Sequence, residues 1–307
     1  MDETIEVRGL TKRYGATVAV DDLTFSVSPG RVTGFVGPNG AGKSTTMRLI
    51  LGLAAPDAGM ATVGGEPYGN KLFPLREVGA LLDASATHPG RRARDHLLWL
   101  AQSNDIPRSR IDEVLELVGL SGVGGRRTGG FSLGMAQRLG IAAALLADPP
   151  VLIFDEPVNG LDPEGIVWIR GFLRSLAAEG RTVFVSSHLM SELQGTADHL
   201  IVIGRGRLIA DASVDELLAS ATDGSVDVRT PDATEVMTAL ANVGGTVVST
   251  GRGSFTVTGL GPERIATLVA ERGLRLFELT LRRATLEDVY LELTHDAVDH
   301  AARGDRT

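Results

Sequence analysis

One nine-residue stretch, Gly37-Pro38-Asn39-Gly40-Ala41-Gly42-Lys43-Ser44-Thr45, constrains this chain more than any other feature. It fits G-x-x-x-x-G-K-[ST] in the context that motif requires: a short apolar strand, Val32 to Val36, precedes it and an apolar helix from Thr45 to Leu51 follows. Glycines let such a loop turn back so that successive backbone N–H groups point inward. With the positive end of the next helix they hold phosphate. Lys43 is expected to neutralise the β- and γ-phosphates of a nucleotide, and Ser44 to offer its hydroxyl oxygen to magnesium. The fold expected is α/β, with a sheet behind the loop.

At 307 residues and 43% hydrophobic composition, the chain can supply a core for one large domain and one smaller one. A net charge of −8 argues against nucleic acid as a partner. The absence of cysteine excludes disulfides, thiolate metal sites and cysteine nucleophiles. The acidic start Met1-Asp2-Glu3-Thr4 is not expected to be a secretory signal. The longest apolar stretch, Ile141 to Phe154, is broken by Asp148-Pro149-Pro150, so no bilayer-spanning run is expected.

Residues 5 to 27 alternate as strands, with Asp21-Asp22 read as a turn, and suggest an antiparallel edge. Tyr14 is read on a short polar loop, where its ring would either stack on an adenine or cover a sheet edge. From Pro56 to Arg94 the one convincing strand is Val78 to Leu82, with Asp83 at its end as a candidate contact. Helical spacing then marks 94–101, 111–118 and 133–147, a subdomain of about 84–147 inserted before the next strand. The apolar run Val151 to Phe154 delivers Asp155 and Glu156 to the crevice where parallel strands end. Asp155 would hold magnesium through water, and Glu156 would polarise the attacking water. His188 ends another apolar strand, Thr182 to Ser187. It would contact the γ-phosphate or serve as a satisfied structural histidine, and the residues leave both open.

A first domain over 1–218 is thus expected, with a small polar linker at 219–224. Residues 225–295 read strand, helix, strand, strand, helix, strand, with strands at 226–229, 246–249, 255–258 and 274–279 and a closing helix at 286–293. That order suggests a ferredoxin-like α+β module. The last residues, 296–307, read as a disordered tail.

The succession of phosphate loop, helical insert, Phe131-Ser132-Leu133-Gly134-Met135-Ala136-Gln137, Asp155-Glu156, Asn159-Gly160-Leu161-Asp162 and His188 resembles the nucleotide-binding subunit of ATP-binding-cassette transporters. Within that superfamily it is most similar to drug and antibiotic exporter ATPases of the daunorubicin-resistance type, which end in a C-terminal extension like Thr285 to Leu291. The resemblance implies ATP hydrolysis with Mg2+, a separate membrane permease, a second copy of the chain, and a place on the cytoplasmic face of the membrane. It makes Tyr14 the adenine-stacking ring, residues 37–45 the Walker A loop, Asp155 and Glu156 the Walker B pair, and His188 the switch histidine. Ser132 and Gly134 belong to the signature that seats the γ-phosphate of the nucleotide held by the other copy, and an N-cap serine at a helix start has the chemistry for it. Two positions depart from the family pattern. The signature loses a glutamine at Met135, and Asp83 stands where a glutamine would contact magnesium and sense the permease.

Other functions compatible with these motifs are a membrane-anchored signalling ATPase and, less well, a soluble cassette ATPase of translation or DNA repair. The latter carries two cassettes or a coiled-coil insert, whereas this chain has one phosphate loop. A GTPase is disfavoured, because Asn70-Lys71-Leu72-Phe73 lacks the aspartate of the guanine-reading motif.

Overall fold

The computed structural model describes residues 3–220, 225–282 and 285–290, which form two compact units divided between Val214 and Asp215. The first unit opens with β1 (Ile5–Tyr14), β2 (Thr17–Val27) and β3 (Val32–Val36), then α1 (Lys43–Ile50), β4 (Ala58–Val63), α2 (Pro74–Glu77) and β5 (Val78–Leu81). Three helices follow, α3 (Ala93–Ser103), α4 (Ser109–Leu117) and α5 (Leu133–Ala144). Then come β6 (Val151–Phe154), α6 (Pro163–Ala178), β7 (Thr182–Ser187), α7 (Met190–Leu193), β8 (His199–Gly204) and β9 (Arg207–Ser213). Helix α8 (Val214–Ser220) crosses the division.

The main sheet runs β5-β6-β7-β3-β8-β9, parallel except for β9. Strands β3, β6 and β7 are buried along their whole length, which is why they read as continuous apolar runs rather than alternating ones. Their register places Val36 beside Ser187 and Phe154 beside Val185, so the carboxyl ends of β3, β6 and β7 open on one edge. A second, antiparallel sheet, β2-β1-β4, packs on it through Phe25, Phe35 and Phe184, whose ring centroids lie 5.1 to 5.8 Å apart.

In the second unit β10 (Ser225–Arg229), α9 (Ala233–Ala241), β11 (Thr246–Gly251), β12 (Ser254–Thr258), α10 (Pro262–Glu271) and β13 (Glu278–Arg282) form an antiparallel sheet in the order β11-β12-β10-β13. This is the ferredoxin-like strand order. Val226, Val228, Phe255 and Val257 bury one face of it against Val236, Leu240, Ile265 and Leu268 of the helices.

Several elements differ from the sequence reading. Asp21-Asp22 is no turn: β2 passes through it, with Asp22 at φ 51 where the β1–β2 register shifts. The extra residue is absorbed as a bulge. Tyr14 closes β1 opposite Thr17 instead of lying on a loop. Strands β4 and β9 carry no clean alternation, because each lies at a sheet edge with mixed exposure. The last strand is Glu278–Arg282, shifted from 274–279, since Leu274 and Leu276 pack on the core from the approach to it. Helix α8 reaches Ser220, so of the expected linker 221–224 lies outside the described residues, as do the end of the closing helix and the tail at 296–307.

Candidate functional site

The phosphate loop leaves β3 at Gly37 and closes on α1. Its shape depends on two glycines that nothing larger can replace: a Cβ at Gly42, where φ is 105, would meet Ala19 O at 2.3 Å, and one at Gly37 would meet Ile203 O at 2.4 Å. Ala41 is buried; its N–H donates to Pro38 O (3.0 Å) and its carbonyl accepts from Gly206 N–H (3.0 Å). Pro38, Asn39 and Gly40 are exposed at the rim. Gly42 gives α1 no side-chain cap and the first turn holds no carboxylate, so the N–H groups of Lys43, Ser44 and Thr45 have no intrahelical acceptor and no acidic side chain of their own turn competes for them. The cradle fits a phosphate group.

Lys43 is 6% exposed. Its Nζ donates to Gly37 O (2.7 Å) and lies 3.5 Å from Pro38 O. It is also 3.4 Å from Glu156 Oε1, while the other oxygen, Oε2, is 2.8 Å from His188 Nδ1. One carboxylate thus joins a lysine at the start of α1 to a histidine from the end of β7. With the carboxylate accepting, Nδ1 carries the proton in this contact.

Glu156 has φ 50, a left-handed conformation unusual for a residue with a side chain. Two residues that the sequence reading did not single out hold it there. Ser186 Oγ accepts from the Glu156 N–H (2.9 Å) and donates to Asp155 Oδ1 (2.5 Å). Gln137, 5% exposed on α5, donates through Nε2 to Glu156 O (3.1 Å) and Asn159 O (3.3 Å), and its own Oε1 is buried without a partner among the described residues. Glu192 of α7 accepts from Ser187 Oγ and, with Glu156 and His188, offers ligand atoms all within 4.8 Å of one another. Ser186 had a signal in the polar pair ending an apolar strand. Gln137 had none beyond its place in the quoted motif.

The oxygens suited to magnesium are the exposed Ser44 hydroxyl and the half-buried Asp155 carboxylate. Asp83 sits two residues beyond β5 and caps a single 3₁₀ turn, its Oδ1 accepting from both Ser85 N–H (2.8 Å) and Ser85 Oγ (2.7 Å). Those bonds hold its carboxyl below the ordinary carboxylate range. Among the described residues the bonds of Asp83 are thus local and do not join the Lys43 cluster. Tyr14 is 53% exposed, with Lys12 Nζ 5.4 Å from its ring centre. Ser132 is exposed and caps α5 by accepting from Met135 N–H (3.2 Å). Next to it Leu133 presses on Gly160, where an added Cβ would meet Leu133 Cδ2 at 2.1 Å, and Gly134 lies against Gly160 O.

A family model described as ABC transporter matches residues 20–159, and one described as a domain of unknown function matches 224–287. The bacitracin transport ATP-binding protein BcrA of Bacillus licheniformis is 44% identical over 220 residues, 71% of this chain and 72% of that protein. A Nod factor export ATP-binding protein I of Burkholderia orbicola is 36% identical over 94% of this chain and 96% of its own. The daunorubicin resistance ATP-binding protein DrrA3 of Streptomyces coeruleorubidus is 34% identical over 96% and 97%. Among solved structures, an ATP-binding subunit of an ABC transporter superposes with a TM-score of 0.64 at 27% identity, covering 70% of this chain and 92% of that one. A dimeric bacterial ABC transporter cassette, 23% identical, covers 68% and 98% with a TM-score of 0.63 and shares the fold.

Proposed function

The chain belongs to the ABC transporter family as one of its ATP-binding, ATP-hydrolysing subunits, and from that premise we propose that it powers export of a drug, antibiotic or lipid-like small molecule through a separate membrane permease. Two relatives that span nearly its whole length are named for Nod factor export and daunorubicin resistance, and one matched over 220 residues is named for bacitracin transport. The observation that carries the site assignment is the shared carboxylate: Glu156 reaches Lys43 with one oxygen and His188 with the other. In our reading the loop N–H groups of residues 37–45 and the Lys43 ammonium take the phosphates, Tyr14 the adenine, and Ser44 and Asp155 the magnesium. Bound magnesium supplies charge neutralisation at the phosphate oxygens. Lys43, once turned to phosphate, releases Glu156 Oε1 to orient and deprotonate a water, while His188 keeps the other oxygen in place. Asp83 stays close to the permease, because an apolar groove of about 330 Å³ lined by Leu51, Leu53, Tyr68, Leu82, Asp83 and His96 offers a permease segment a seat.

Each site is completed by a second copy, with Ser132 facing the other chain's nucleotide. Ser132 has no hydrogen bond to its own phosphate loop among the described residues, and its helix start is exposed. Lys43→Ala and Ser132→Arg should each abolish ATPase activity, the first by leaving phosphate charge uncompensated and the second by filling the γ-phosphate seat. Mixed heterodimers contain one site with both residues intact, so activity should return in part. A mixture that stays inactive, with no Ser132-to-partner crosslink in ATP-trapped dimers, would end the shared-site reading.

A further inference from the structure

Charge is distributed unevenly in the first unit. Residues 84–147 carry eight arginines against five carboxylates, although the whole chain is at −8. Four of these arginines gather where two segments meet: Arg92 and Arg127 face one another in an isolated antiparallel bridge, flanked by bonds from Ala93 N–H to Arg126 O (3.1 Å) and from Thr128 N–H to Arg91 O (2.9 Å). Residues directly opposite in such a bridge project to the same side, and like charges there repel. Arg92, Arg126 and Arg127 are exposed, and no carboxylate pairs with them or with Arg91 among the described residues. Nearby, Arg94 is neutralised by Asp112, and Asp95 is the only carboxylate in the 91–95 run. Arg91 lies over the ring of Trp99 at 4.8 Å, and that indole is 52% exposed. Its field adds to burial in lowering the His96 pKa, so the cationic character reaches the lip of the apolar groove that His96 lines.

We infer that the Arg91, Arg92, Arg126 and Arg127 patch, with Trp99 beside it, is a docking surface for the anionic phospholipid headgroups of the membrane. Paired guanidiniums suit phosphate oxygens through forked, charge-assisted hydrogen bonds. A half-exposed indole next to them is the side chain that settles at a bilayer interface, where its ring is apolar and its N–H stays wet. Arginine and tryptophan are enriched at protein interfaces as well, and a protein partner is what an absence of vesicle binding would indicate. The direction of the patch toward the membrane rests on the reading that the neighbouring groove seats a permease segment. The lipid contact itself is a property of this chain and is tested without any permease.

Purified full-length chain is floated with vesicles of phosphatidylcholine alone and of phosphatidylcholine mixed with phosphatidylglycerol, at low and at high salt. We expect binding to the mixed vesicles only, its release by salt, and a blue shift of tryptophan emission that Trp99→Phe removes. Each arginine near an anionic surface contributes roughly five-fold in partitioning, so Arg92→Gln/Arg127→Gln should lose on the order of twenty-fold or more. Basal ATPase activity of this variant should stay at the wild-type rate, which also shows that it is folded. Equal binding to neutral vesicles, no binding to the mixed ones, or unchanged binding by an active double variant would each overturn the proposal while leaving the ATPase assignment intact.

Discussion

The two units are built from the same materials and differ in what their topology does with polar residues. In the first, β3, β6 and β7 run parallel and fully buried, so the residue after each strand end has nowhere to go but a common edge: Gly37, Asp155 with Glu156, and His188 meet there. In the second, neighbouring strands run opposite ways and their ends alternate between two edges. Its polar side chains are spent across the open face, as in Thr256 Oγ1 to Asp227 Oδ1 (2.6 Å) and Arg229 to Glu278 (3.3 Å), or in pinning a loop, as in Arg275 to Asp232 (2.7 Å). Parallel topology concentrates chemistry at one edge, whereas the antiparallel module distributes it in pairs that satisfy one another.

The largest expected effect tests the convergent edge. Glu156→Gln keeps the shape that Lys43 and His188 hold but removes the basic oxygen, so kcat should fall about a hundred- to ten-thousand-fold with nucleotide affinity retained. Turnover within a few-fold of wild type, measured by steady-state phosphate release, would strip Glu156 of that role. Next in size is a change in the other unit. Phe255→Ala empties the centre of the second core and should cost that unit about 3–5 kcal/mol, read as a lowered thermal transition. ATPase activity per molecule should persist below that transition. Loss of activity in step with unfolding of the second unit would show that the chemistry is not confined to the first.

The smallest effect is the most informative about the first unit. Gln137→Leu removes both donors to the Glu156–Asn159 turn while also removing the unpartnered buried Oε1, so stability should barely move. Loosening the left-handed Glu156 backbone should lower kcat about ten-fold with KM unchanged, equivalent to roughly 1–2 kcal/mol of transition-state stabilisation. A fall in melting temperature with kcat intact would make Gln137 a packing residue only.

What the residues determined alone are the features whose physics is local. The glycine and lysine spacing of 37–45, the unbroken apolar runs at 32–36, 151–154 and 182–187, and the helical periodicity of α3 to α5 each depend on neighbours within a few positions in sequence. The strand and helix order of the second unit was legible for the same reason, and that order admits the observed β11-β12-β10-β13 sheet. Edge strands β4 and β9 were illegible because successive positions, and so both faces, are exposed or only partly buried over most of their length, which leaves no alternation to read. Only the tertiary structure decided the contacts between residues far apart in the chain. Lys43 and Glu156 meet because β3 and β6 flank β7, Gln137 meets Glu156 because α5 packs on β5, the neighbour of β6, and Arg92 meets Arg127 across a bridge. Periodicity fixes which face of an element is buried, but pairing at that range is set by sheet order and register, which come from the packing of the whole unit.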